Sequence, residues 1–249
     1  MKRLGMVALM GLLVTPFVTN AAIETTITVE ASHTAHYAGQ TPLSLGAGAA
    51  ITGPFGFLVP PTAYNQWMDP YQAADTIPGF VDLTGFGSLI EVSAVGTWDN
   101  GNEGGASGPG GNGVFRTTQG VYSSFGISQL SADLNTLVGV FIDETNVPWI
   151  FDTPPAALSE GVHSMTSPEL NQIFAIGDLL TMINVPTGAT RLYLGMHSEY
   201  DWTAASGSVD ATVKAVPEPS SLIIWSALGL GGAAIGYRNR KKKQPEANV

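Results

Sequence analysis

Cysteine is absent from this 249-residue chain, and charge is scarce: Asp, Glu, Lys and Arg together make up 12%, about half the usual share. The lack of thiols excludes a disulfide scaffold, a thiolate metal centre and a cysteine nucleophile. Basic residues are the scarcer sign, 10 Lys and Arg against 20 Asp and Glu. That balance excludes the electropositive footprint of a nucleic-acid binder. The chain also has no P-loop, no G-x-G-x-x-G opening a strand–helix unit, no H-E-x-x-H and no G-x-S-x-G, so the common nucleotide, zinc-protease and serine-hydrolase signatures are missing. No amphipathic helical pattern exceeds about three turns.

What is present begins at the ends. Lys2 and Arg3 precede an apolar stretch from Leu4 to Val18, and Thr19-Asn20-Ala21 offers small residues at a cut. This is the three-part pattern of a secretory signal peptide spanning 1–21. At the other end, Val216-Pro217-Glu218-Pro219-Ser220 leads into an apolar run from Leu222 to Tyr237, followed by Arg238, Arg240, Lys241, Lys242 and Lys243. Sixteen residues make a short membrane span, against the roughly 20 a crossing wants. The basic cluster would stay on the cytoplasmic side.

The body between them, residues 22–215, reads as all-β. Ile23 to Val29, Ser88 to Val95, Leu137 to Ile142, Thr190 to Met196 and Ser208 to Val213 are rich in β-branched residues or alternate in polarity, as strands do. Turn residues cluster between them. Asp99 to Gly113 holds seven Gly in fifteen residues and reads as a loop, and residues 51–80 and 144–169 read as irregular. Short helices are expected at Ser128–Asn135 and Ser167–Phe174, and a tight turn at Asn184–Ala189. Many short strands with turn-rich spacers predict a single β-sandwich of jelly-roll, galactose-binding-like shape. It would be flanked by an N-terminal signal helix and a C-terminal transmembrane sorting helix.

The three-part C-terminal end resembles the PEP-CTERM sorting signal of Gram-negative bacteria, also called the ice-binding protein C-terminal domain. The resemblance covers residues 216–243 and implies a transient inner-membrane anchor recognised by an exosortase-type processing enzyme. Export to the cell envelope or an extracellular polysaccharide matrix would follow. Within the body, Val185-Pro186-Thr187-Gly188 through His197, then Asp201-Trp202-Thr203-Ala204-Ala205-Ser206-Gly207-Ser208, together with Ile90–Trp98 and Leu137–Phe141 upstream, resemble a calcium-dependent galactose-binding bacterial lectin over about 78–215. Residues 23–77 would extend in front of it. The resemblance implies side-chain oxygens for Ca²⁺ at the positions of Ala204 and Ala205, where alanine supplies none.

No cofactor is therefore expected. The alternative is a rearranged Ca²⁺ site drawing on Asp99, Asn100, Asn102, Glu103, Glu199 and Asp201, since Ca²⁺ takes hard oxygen ligands. Trp202, Tyr200, Asp201 and Trp98 are the candidates for sugar contact, with an aromatic ring as the platform. Glu30, His33 and His36 are spaced like a metal trio, but a strand would send the two histidines to opposite faces. Asp143-Glu144 and Glu199/Asp201 are chance-level carboxylate pairs for a hydrolase. The expected role is a non-enzymatic structural or adhesive module, with carbohydrate binding as the alternative and a secreted hydrolase as the weakest option. Within the body only Arg116, Arg191 and Lys214 oppose 18 acidic residues, a net charge of −15.

Overall fold

The computed structural model describes residues 23–39, 51–52, 58–59, 78–118, 126–148, 152–159, 167–199 and 204–216. Both expected terminal helices lie outside them. Among the described residues no helix is long and apolar enough to cross a membrane.

The described residues are essentially all-β. The strands run β1 (Glu24–Glu30), β2 (Ile51–Thr52), β3 (Leu58–Val59), β4 (Gly79–Asp82), β5 (Leu89–Asp99), β6 (Phe115–Thr117), β7 (Leu130–Asp133), β8 (Leu137–Ile142), β9 (Leu158–Ser159), β10 (Ile173–Ala175), β11 (Thr181–Asn184), β12 (Arg191–Met196) and β13 (Ser206–Ala215). Two four-stranded antiparallel sheets dominate, in the orders β1-β13-β5-β11 and β10-β8-β12-β4; β6-β7-β9 and β2-β3 form smaller ladders. The one helical turn among the described residues is a 3-10 turn, Ala35–Tyr37.

The first sheet follows from alternation. On β5, Ile90, Val92, Ala94 and Trp98 point inward, and on β13 Val209, Ala211 and Val213 do. Their neighbours Ser208, Asp210 and Thr212 face out, where Thr26 and Thr212 hydroxyls meet at 2.9 Å and Thr28 donates to Asp210 at 2.8 Å. One buried and one wet face is the usual state of an antiparallel sheet. The second sheet differs because β8, Leu-Val-Gly-Val-Phe-Ile, is buried at every position. Its inner face shares a core with the first sheet through Phe141, Phe174, Leu192 and Leu194. Phe141 and Phe174 stack with centroids 5.4 Å apart. Its outer face is covered in turn by Ala35, Ala38, Ile127, Leu130 and Ala132. Each large side chain so buried contributes about 1.5–3 kcal/mol, and the arrangement is sandwich-like with one sheet covered twice.

Two expectations are corrected here. Ser128–Asn135 contains strand β7, and Ser167–Phe174 is loop leading into β10, so neither is a helix. Strand β1 comes from the stretch read as an extension, yet it pairs with β13 over seven registered positions, Glu24↔Lys214 to Glu30↔Ser208. The expected turn at Asn184–Ala189 is present, closed by Ala189 N–H donating to Pro186 O at 3.1 Å.

The 3-10 turn presses against β12 at Gly195. A Cβ there would stand 2.7 Å from His33 O and 2.8 Å from Ala35 N, so glycine is required by backbone approach. That contact places His36 beside His197.

Candidate functional site

The glycine-rich loop leaves β5 at Trp98 and Asp99 and is held from below. Trp98 N–H and O pair with Ser107 O and N–H at 3.0 and 2.9 Å, closing the loop at its neck. The hub is Asn135, buried and left-handed at φ 64°, a conformation Asn tolerates better than most residues. Its carbonyl accepts from Trp98 Nε1 at 2.7 Å, its Oδ1 accepts from Asn100 N–H at 3.0 Å, and its Nδ2 donates to Gly105 O at 2.9 Å and Ser107 Oγ at 3.1 Å. Its own N–H donates to His197 O at 3.0 Å.

The sequence-predicted residues fall unevenly around this hub. Trp98 is 1% exposed, so its ring offers no face to a sugar, and that expectation is corrected: the indole belongs to the core. Trp202, Tyr200 and Asp201 lie outside the described residues. Asp99 Oδ1 accepts from Gly101 N–H at 2.9 Å. Asn100 is fully buried, and its Oδ1 accepts from the N–H groups of Asn102 and Glu103 at 2.7 and 3.0 Å. That oxygen thus shapes the loop from inside.

The glycine loop does approach the loop before β13. A Cβ on Gly101, at φ 75°, would stand 2.4 Å from Ala204 O. Glu103 and Glu199 also converge, but on a guanidinium: Arg116 Nη2 meets Glu103 Oε2 at 2.5 Å and Arg116 Nε lies 3.6 Å from Glu199 Oε2. Among the described residues no group of three or more His, Asp or Glu side chains is arranged to hold a metal ion. Arg116 stands where the two carboxylates face each other, and its fixed charge serves them there.

Beneath Arg116 sits a buried histidine pair. His197 Nε2 lies 3.2 Å from Arg116 O. Burial holds His197 down to about 4, against backbone hydrogen bonds to Arg116 and Ala132 that favour the charged ring. His36 is driven down to about 3, first by burial and then by the charge of His197. His33 Nδ1 accepts from Glu30 N–H at 3.2 Å, so the trio read from spacing is divided between a local turn and the core.

The Asp143-Glu144 pair is likewise divided. Asp143 Oδ1 accepts from Thr145 N–H and Oγ1 at 2.9 and 2.7 Å, which holds its carboxyl below the usual range. Glu144 accepts from the Tyr193 hydroxyl and pairs with Arg191 at 3.1 Å. Of the sorting motif only Val216 is described; Pro217, Glu218, Pro219 and Ser220 lie outside. Sequence reasoning missed Asn135 and Arg116. Arg116 carried a signal, as one of three basic residues among 18 carboxylates in the body. No known protein family, curated protein or solved structure matches this chain.

Proposed function

We propose that this chain is an exported, non-enzymatic module of the bacterial envelope or extracellular matrix, structural or adhesive in role, built on a β-sandwich of the jelly-roll, galactose-binding-like kind. The observation that carries the reading is the position of the fold's two ends. Strand β1 starts at Glu24, directly after the expected signal-peptide cut, and β13 ends at Ala215, directly before the sorting motif. The two strands are neighbours, and Ala215 N–H donates to Ile23 O at 2.8 Å while Val216 N–H donates to Leu89 O at 3.1 Å. The next residue, Pro217, has no N–H to extend the ladder. Among the described residues the ladder bonds at this end of the sheet all fall within Ile23–Val216, as a body released from two processing segments needs.

The chemistry of the loops agrees with a structural role. Asn100, Asn135, Glu103 and Glu199 spend their polar groups on one another and on Arg116. Fractionation of the producing bacterium tests the reading: the protein belongs with the envelope or extracellular polysaccharide, and accumulation in the cytosol ends it.

A further inference from the structure

Among the described residues, two of the exposed large hydrophobics are aromatic, Phe80 at 42% and Phe115 at 48%. Phe80 is on β4, an edge strand of the second sheet, whose outer face is otherwise covered by the second core cluster. Its ring is held in place. Arg191 Cζ stands 4.0 Å from the ring centroid, and the Tyr193 ring lies 5.4 Å away at 48°. Both partners belong to β12, where Tyr193 is directly opposite Phe80 and Arg191 directly opposite Asp82. With both contacts made, Phe80 stays 42% exposed, so part of the ring still meets solvent.

The polar groups beside it are fixed as well. Arg191 Nη1 pairs with Glu144 Oε2 at 3.1 Å and donates to the Tyr193 hydroxyl at 3.3 Å, and that hydroxyl donates to Glu144 Oε1. Asp82 Oδ1 accepts from Thr84 N–H at 2.7 Å. The result is a preoriented aromatic ring with one guanidinium over it and two carboxylates beside that guanidinium. A small site of this make-up, apolar on one side with a few fixed polar groups, suits a ligand that is itself two-faced. A pyranose is such a ligand. Its C–H face carries slight positive charge and stacks on the negative face of an aromatic ring, while its hydroxyls both donate to carboxylates and accept from guanidinium.

We propose that Phe80, Asp82, Glu144 and Arg191 form a contact site for a neutral glycan on the outer rim of β4 and β12. The charge balance selects neutral over acidic sugar: one Arg against two carboxylates leaves the site net negative, on a body of net charge −15. An acidic polysaccharide is repelled at both scales, and the cationic place over the ring is already filled by Arg191. The site stands on its own geometry; it rests on the matrix reading only for the setting in which such a glycan is met.

Affinity electrophoresis of the full-length chain through gels containing dextran, laminarin or galactomannan tests the proposal, with alginate as the acidic contrast. The expected result is retardation in at least one neutral gel and none in alginate. Phe80→Leu should weaken that retardation at least about tenfold, whereas Phe80→Trp should keep it and Phe115→Leu should leave it unchanged. Far-ultraviolet circular dichroism of each variant shows whether it is folded, and Phe80→Trp reports on the platform even if Phe80→Leu fails to fold. Absence of retardation in all neutral gels, loss of it in Phe80→Trp, or equal retardation in Phe80→Leu would overturn the site. The two readings fail separately. A matrix-located protein without glycan retardation loses the site and keeps its proposed role, and a cytosolic protein with Phe80-dependent retardation does the reverse.

Discussion

Acidification from pH 7 to pH 5.5 should weaken this fold through its two buried histidines. His36 and His197 are each 3% exposed, and in the folded state they titrate near 3 and 4 respectively. In the unfolded chain both return to about 6.5. Between these limits the unfolded chain takes up protons that the folded chain refuses. Stability is therefore full above pH 6.5 and falls as the pH drops toward the folded values. Over the step from 7 to 5.5 each histidine costs about 1.2 kcal/mol, and the two together roughly 2.5. The window lies above the ordinary carboxylate range, and Asp82 and Asp143 are held lower still by hydrogen bonds from Thr84 and Thr145, so neither adds to the slope. Urea unfolding at the two pH values, with m unchanged, measures the loss. In His36→Gln the loss should shrink to about 1.2 kcal/mol, because only His197 still titrates. A stability that stays flat across the window, or a His36→Gln slope equal to that of the parent, would refute the reasoning.

Other expectations concern packing and the loop hub. Gly195→Ala forces a Cβ within 2.8 Å of the 3-10 turn's backbone and should cost about 2–3 kcal/mol in denaturant unfolding. Trp98→Phe empties part of a fully buried site and strands the Asn135 carbonyl, for a loss of about 2–3 kcal/mol; a loss below 0.5 kcal/mol would mean that the indole is not in the core. Arg116→Ala should cost no more than about 1 kcal/mol, because its ion pairs are more than a third exposed on the Arg and Glu103 sides. In calorimetry the parent protein should show no saturable Ca²⁺ binding at millimolar concentration, and a saturable isotherm would show that Arg116 does not satisfy Glu103 and Glu199.

The long strands could be read from residue pattern because burial enforces it over many positions. The run Leu137–Ile142 is continuous and apolar since β8 is covered on both faces, and β13 alternates since only one of its faces is. Shorter strands carried too few residues to show a period. Ser128–Asn135 is the instructive case. Ile127, Leu130 and Leu134 fit helical spacing, while Leu130, Ala132 and Leu134 fit a strand, and the fold uses the second set. Trp98 borders a glycine loop, which suggests exposure, although Ile90, Val92 and Ala94 set the inward parity on which it also falls. The hub at Asn135 was illegible for a different reason. Its partners Trp98, Asn100, Gly105, Ser107 and His197 are brought together only by the packing of β5, β8 and β12. The Phe80 platform likewise depends on the register of β4 against β12, which no local pattern encodes.

Intact-mass analysis of the protein recovered from the envelope and extracellular-matrix fractions of the producing bacterium tests the central claim most directly. The expected species begins near Ile23 and has lost the basic segment Arg238–Lys243, with the ladder from Ile23 to Val216 retained. A full-length species still carrying both ends, or no species in either fraction, would contradict it.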